Sequence, residues 1–116
     1  SYSELSRKEL IIKTRNNMTV NFQYVNTDVS ETLSAFTEDK LEKLANKFEF
    51  IISAQVYFKH DDNDHNAGKI CNIEISLPGP RIFATSNKHT YEVSVNETIK
   101  DLMRQLKKRK EIYKVY

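Results

Sequence analysis

The stretch MTVNFQYVNTDVSETLSAFTEDKLEKLANKF, residues 18–48, decides the fold, because its hydrophobic period changes once within it. From Met18 the residues alternate: Val20, Phe22 and Tyr24 share one parity, Thr19, Asn21 and Gln23 the other. A period of two sends successive side chains to opposite faces, so this segment is a half-buried strand. Ser30 then stands where a helix N-cap accepts a backbone N–H, with Glu31 in the first turn, where the helix dipole favours an anion. Leu33, Phe36, Leu41, Leu44, Ala45 and Phe48 follow at helical spacing and make one apolar stripe.

Outward from this pair the pattern continues. Ile51 to Phe58 is dense in Ile, Val, Tyr and Phe, with Ala54, Val56 and Phe58 in phase, and reads as a strand. A strand, a helical crossover and a strand make a parallel, right-handed unit. Residues 60–68 are polar and turn-prone, and predict a loop. Lys69 to Leu77 alternates again, with Cys71, Ile73, Ile75 and Leu77 inward. Pro78-Gly79 predicts a type II turn, the proline pre-setting one central position and the glycine supplying positive φ at the next. Arg81 to Ser86 reads as a last strand, and Tyr91, Val95, Ile99, Leu102, Met103 and Leu106 mark a second long helix. The expectation is an α+β domain of order β-α-β-β-β-α, a four-stranded mixed sheet with two helices packed on one face and the other face left to solvent.

Residues 1–17 carry Arg7, Lys8, Lys13 and Arg15 around a short apolar cluster, Leu10-Ile11-Ile12, far from the ~7–15-residue apolar stretch of a secretory signal. They read as a part-helical N-terminal extension or remnant without a role, and residues 18–116 as a single domain. A chain of 116 residues is one domain's length, and 39% hydrophobic content with six Phe and six Tyr is too apolar for a disordered chain. No apolar run approaches the ~18 residues that cross a bilayer. One cysteine makes no internal disulfide, which fits a reducing compartment and a cytoplasmic protein.

The net charge of +2 conceals a segregation. Residues 100–114 hold Lys100, Arg104, Lys107, Lys108, Arg109, Lys110 and Lys114 against Asp101 and Glu111, which is +5 on fifteen residues and leaves −3 elsewhere. Ile99, Leu102, Met103 and Leu106 occupy one arc of this helix, while Lys100, Arg104, Lys107, Lys108 and Lys114 share another. The first helix adds Lys40, Lys43 and Lys47 along one side. Two such rows, side by side, border a groove that suits a phosphate backbone. Lysine-rich faces are also commonly just solvated, and cations near a helix C-terminus are favoured by the dipole in any case.

Other chemistry is weakly signalled. Asp62, Asp64 and Asn66 alternate like calcium ligands, but the sixth and twelfth positions are Ala67 and Ile73 rather than glycine and glutamate. His60 and His65 lack a third and fourth ligand at zinc spacing, so no metal is expected. Cys71, on the inward parity, reads as a small buried hydrophobe. Lys88 and His89 precede the second helix and suit a phosphate or surface role, since no nucleophile or carboxylate partner accompanies His89. Tyr2, Tyr113 and Tyr116 are candidate stacking rings, although terminal aromatics more often pack. No catalytic residue, cofactor or small-molecule substrate is indicated, and the chain reads as a non-enzyme.

Several strings, in order, resemble the ribosome hibernation-promoting factor and ribosome-associated inhibitor A family over residues 18–112. They are Met18-Thr19-Val20-Asn21-Phe22, Val29-Ser30-Glu31-Thr32-Leu33, Lys40-Leu41-Glu42-Lys43-Leu44, Ile75-Ser76-Leu77-Pro78-Gly79 and, most specifically, Leu102-Met103-Arg104-Gln105-Leu106-Lys107-Lys108-Arg109-Lys110. The resemblance implies a ribosome-binding domain at residues 18–116 that occupies the messenger RNA and tRNA channel of the small ribosomal subunit, stalls translation and protects idle ribosomes. Its partners would be the small subunit, its rRNA and other hibernation factors, with no membrane involved. On matching positions, Lys40, Lys43, Arg104, Lys108 and Lys110 inherit rRNA contacts; Lys47, Lys88, His89, Lys100, Lys107 and Arg109 join them on charge and position. The sequence departs from the family pattern at Asp101, where a lysine is usual, and in the spacing of Tyr91. Ending at Tyr116, it resembles the short type. The rival expectation is a protein-interaction module whose basic C-terminal helix docks an acidic partner.

Overall fold

Among the described residues seven elements run in the order β1 (Lys8–Arg15), β2 (Met18–Val25), α1 (Glu31–Lys47), β3 (Ser53–His60), β4 (Lys69–Ser76), β5 (Ile82–Lys88) and α2 (Tyr91–Lys114). The computed structural model describes residues 8–15, 18–64 and 66–114, so Tyr2, His65 and Tyr116 lie outside the described residues. One sheet holds the strands in sequence order, β1-β2-β3-β4-β5. β2 and β3, joined through α1, are parallel, with Val20 beside Ala54 and Phe22 beside Val56. β3, β4 and β5 form the expected antiparallel meander. From β2 to α2 the order is therefore the β-α-β-β-β-α expected, with its four-stranded mixed sheet and two helices.

β1 extends that sheet by one antiparallel strand, with Ile11 opposite Phe22 and Arg15 opposite Met18. Within the extension read at residues 1–17, Lys8–Arg15 is thus a strand rather than helix, and residues 1–7, 16 and 17 lie outside the described residues. Three consecutive apolar residues carry no period of two, so the strand signal that marks β2 is missing here. The pairing partner supplies what the local pattern lacks.

Alternation decides which face is covered. Met18, Val20, Phe22 and Tyr24 from β2, Ala54, Val56 and Phe58 from β3, and Cys71, Ile73 and Ile75 from β4 are buried, while the residues between them are half-buried. The helices add Leu33, Leu41 and Leu44 from α1 and Val95, Leu102 and Leu106 from α2 to the same core. Ser30 caps α1 as the sequence implies, its Oγ accepting the Leu33 N–H at 3.1 Å. Gly79 adopts φ +95° between β4 and β5, the conformation that the turn needs and that side chains avoid.

Where the helices approach the sheet, small hydroxyl residues replace larger apolar ones. Ser34, Thr37, Ser94 and Thr98 are buried, and each hydroxyl has a partner. Thr37 and Thr98 donate to carbonyl oxygens one turn back, Leu33 and Ser94, at 2.9 and 2.8 Å. Ser34 Oγ meets the Tyr24 hydroxyl at 2.7 Å, while Tyr24 itself donates to the Ser30 carbonyl at 2.8 Å. From α2, the Ser94 hydroxyl donates to the Lys69 carbonyl and Thr98 reaches the Cys71 carbonyl at 3.4 Å. Among the described residues no buried side-chain nitrogen or oxygen is left unpartnered, so the polar groups in this core are not penalised for their burial.

Candidate nucleic-acid interface

The ends of α1 and α2 meet around Phe48, the residue that caps α1 and is itself buried. Lys47 from α1 and Lys107, Lys108, Lys110 and Glu111 from α2 line, with Phe48, one depression of about 380 Å³. An adjoining depression of about 450 Å³ shares Lys47, Phe48 and Lys110 and is completed by Glu49, Phe50 and Tyr113. Lys110 Nζ lies 5.8 Å from the Phe48 ring centroid, a cation–π contact that holds the ammonium at the mouth. Phe50 and Tyr113 meet edge to face at 4.8 Å. Four lysines and three aromatic rings therefore share one cleft.

The remaining candidates distribute around this cleft rather than in it. Lys40 and Lys43 lie further back on the same side of α1; Lys40 Nζ sits 5.2 Å from the Phe36 ring, and Lys43 pairs with Asp39 at 3.6 Å. Lys100 and Arg104 are exposed along α2, each with an acidic residue three positions earlier, Glu97 at 3.7 Å and Asp101 at 3.0 Å. Among the described residues no ion pair engages Lys47, Lys107, Lys108 or Lys110. Among those residues none of these four has such an ion pair to break before it meets an anionic partner. Lys88 and His89 are exposed just before α2 begins. At 1.5 Å per residue the helix rises about 25 Å from Tyr91 to Lys108, so both stand outside the cleft.

Arg109 takes a different place. Its guanidinium donates to the carbonyl oxygens of Pro78 at 3.0 Å and Pro80 at 2.8 Å, and the Tyr113 hydroxyl donates to the same Pro78 oxygen. The β4–β5 turn is thereby tied to the end of α2, some thirty residues on. Position along the helix makes Arg109 look like its lysine neighbours; only the turn folded against it distinguishes them. Tyr91 likewise packs, its ring edge-on to Phe58 at 5.5 Å and its hydroxyl donating to the Lys59 carbonyl at 3.0 Å. Burial raises its pKa, opposed by a hydrogen bond from Thr27.

The loop between β3 and β4 is held by its own side chains. His60 Nδ1 faces the Lys69 ammonium at 2.8 Å and Nε2 faces Asp62 at 2.8 Å, while Asp64 accepts the backbone N–H of Asn66 and Ala67. Among the described residues no three His, Cys, Asp or Glu side chains gather closely enough to hold a metal ion. Cys71 is buried, and desolvation pushes its thiol up to about 12, opposed by a hydrogen bond with Thr98. A thiol so placed is a core side chain.

Comparison with known proteins agrees with the fold. A solved structure of a ribosomal subunit interface protein from Coxiella burnetii superposes with a TM-score of 0.67 at 25% identity, covering 82% of this chain and 96% of that one. The N-terminal domain of Protein Y from Thermus thermophilus superposes with a TM-score of 0.64, covering 83% of this chain and 98% of its own, and at 14% identity speaks for the fold alone. No curated protein is significantly similar in sequence. The family profile described as sigma 54 modulation protein / S30EA ribosomal protein matches residues 20–114, from within β2 to the end of α2. The chain belongs to that family, as the strings of its strands and helices imply.

Proposed function

We propose that this protein is a ribosome hibernation factor, acting in the cytoplasm, that seats its basic helices on the rRNA of the small ribosomal subunit, occupies the messenger RNA and tRNA channel and so inhibits translation. The observation that carries the reading is the convergence of Lys47 with Lys107, Lys108 and Lys110 around Phe48, where two helices distant in sequence present cations to one partner. Family membership and the likeness to a ribosomal subunit interface protein support the ribosome as that partner. Lys40, Lys43, Lys100 and Arg104 extend the basic surface along both helices, and Lys88 and His89 form an outlying contact. Arg109 supports the surface from behind by holding α2 to the β4–β5 turn. Binding of this kind needs no catalytic step.

Co-sedimentation with small subunits tests it. Lys47→Glu with Lys108→Glu places two carboxylates in the cleft and should abolish co-sedimentation while circular dichroism stays unchanged. Affinity for the wild type should fall steeply with salt, each neutralised phosphate contributing about 0.7–0.9 to the slope of log K against log salt. Unchanged sedimentation of the double variant overturns the reading. The rival, docking to an acidic protein, predicts that capture of the partner from a lysate survives RNase, whereas ribosomal capture should be lost with the ribosomes.

A further inference from the structure

We propose that the aromatic half of this cleft receives an unstacked nucleobase of single-stranded RNA and prefers a base that carries an exocyclic amine. The inference rests on the RNA-binding reading above and goes further, assigning a ligand to one part of the site. The two adjoining depressions differ in chemistry. The one lined by Lys47, Lys107, Lys108 and Lys110, together with Phe48 and Glu111, holds four cations against one carboxylate and suits a phosphate. The other has ring walls: Phe50 stands edge-on to Tyr113 at 4.8 Å and tilted by 60° to Phe48 at 6.0 Å. Because the Tyr113 hydroxyl is tied to the Pro78 carbonyl, its ring is fixed in place. A fixed aromatic wall beside a row of cations is the combination that holds a base by stacking and its backbone by charge. Bases inside an A-form duplex are stacked and cannot enter such a cleft, so the occupant is single-stranded or splayed out of a loop.

Glu49 decides the preference. It is exposed and lines the aromatic depression along with Lys47 and Lys110. Its carboxylate is an acceptor without a donor. It accepts from the amine of a base, as acidic side chains do from cytosine N4. Uracil has no amine to offer.

Fluorescence anisotropy with short labelled oligo(C) and oligo(U) at fixed ionic strength reads this directly. The wild type should bind oligo(C) more tightly by roughly fivefold. Glu49→Gln, whose amide both donates and accepts, should strengthen binding to both and bring them within about twofold of each other. Phe50→Leu should weaken both by roughly tenfold, with a melting curve to verify its fold. Equal binding of the two oligonucleotides by the wild type, or an unchanged ratio in Glu49→Gln, overturns the proposal. So does displacement of oligo(C) by an acidic peptide of equal charge as readily as by unlabelled oligo(C), which would assign the cleft to a protein. Small subunits provide the separate control: if Lys47→Glu with Lys108→Glu still co-sediments, it is the RNA-binding reading that fails, whereas loss there with no base preference sinks only the nucleobase assignment.

Discussion

The Arg109 guanidinium donates to the Pro78 carbonyl oxygen at 3.0 Å and, with its other nitrogen, to Pro80 at 2.8 Å. A rigid fork suits this pair of acceptors, and a lysine ammonium cannot span them in the same way. Gly79 sits between them; a Cβ there would meet Arg109 Nη1 at 3.2 Å. Arg109→Lys, which keeps the charge, should lower unfolding stability by about 1 kcal/mol, the usual worth of such a bond, and shift the urea midpoint accordingly. Small-subunit affinity should change little. A variant with full stability and lost affinity would make Arg109 a contact residue for the partner.

Arg104 is held by Asp101 at 3.0 Å, a pairing within one turn of α2 that leaves the arginine 71% exposed. Exposed pairs of this kind contribute little to stability. Asp101→Asn removes a negative charge from the basic surface and frees the guanidinium. It should strengthen small-subunit binding by roughly threefold at low salt, an advantage that fades as salt screens it, with the melting temperature nearly unchanged. Filter binding across a salt series checks both parts.

Burial of Cys71 predicts alkaline instability. The thiol is pushed up to about 12 from an ordinary 9.0, chiefly by desolvation. Between those values the unfolded chain has lost a proton that the folded chain retains, so stability is full below pH 9 and falls as pH rises toward 12. Tyr24 and Tyr91, also raised by burial above 10.0, add to the fall at the upper end. Urea midpoints should drop from pH 8 to pH 10.5, and Cys71→Ala should flatten part of that slope. Iodoacetamide should label Cys71 only as fast as the protein unfolds.

β1 lies before the region that the family profile covers, which starts at residue 20 within β2. Removing residues 1–17 should therefore leave β2 to α2 folded and able to bind small subunits. The cost is the ladder between β1 and β2, and the melting temperature should fall by about 5 °C, what one kcal/mol produces in a domain this size. Collapse of the shortened chain into an unfolded state would make β1 an integral strand of the domain.

Elements with a clean period are legible in the order of residues alone. Val20, Phe22 and Tyr24 alternate because one face of β2 is covered and the other is not, and that asymmetry is written residue by residue. The Ser30 cap and the Leu33–Leu44 stripe are equally local. What escapes such a reading is what depends on distant chain. β1 is a strand because β2 is beside it. Arg109 differs from Lys108 because a turn thirty residues earlier offers two carbonyls. Of the Lys40, Lys43 and Lys47 row, only Lys47 reaches the cleft with the end of α2, a distinction set by where the helices meet. Phe48 reads as part of the α1 stripe and Tyr113 as one of three terminal rings, and nothing local says that they share a wall with Phe50.

The buried hydroxyls of α2 have one more consequence. Ser94 and Thr98 bond across to the carbonyls of Lys69 and Cys71, so α2 cannot slide along β4 without breaking both. The helix acts as a ruler with its zero mark pinned, and every lysine further along is graduated from that mark. Its charges sit at set intervals before any partner arrives, and a partner with matching intervals binds without first having to organise them. Two buried hydroxyls, far from the lysines themselves, thereby set where along the sheet the basic end of α2 is presented.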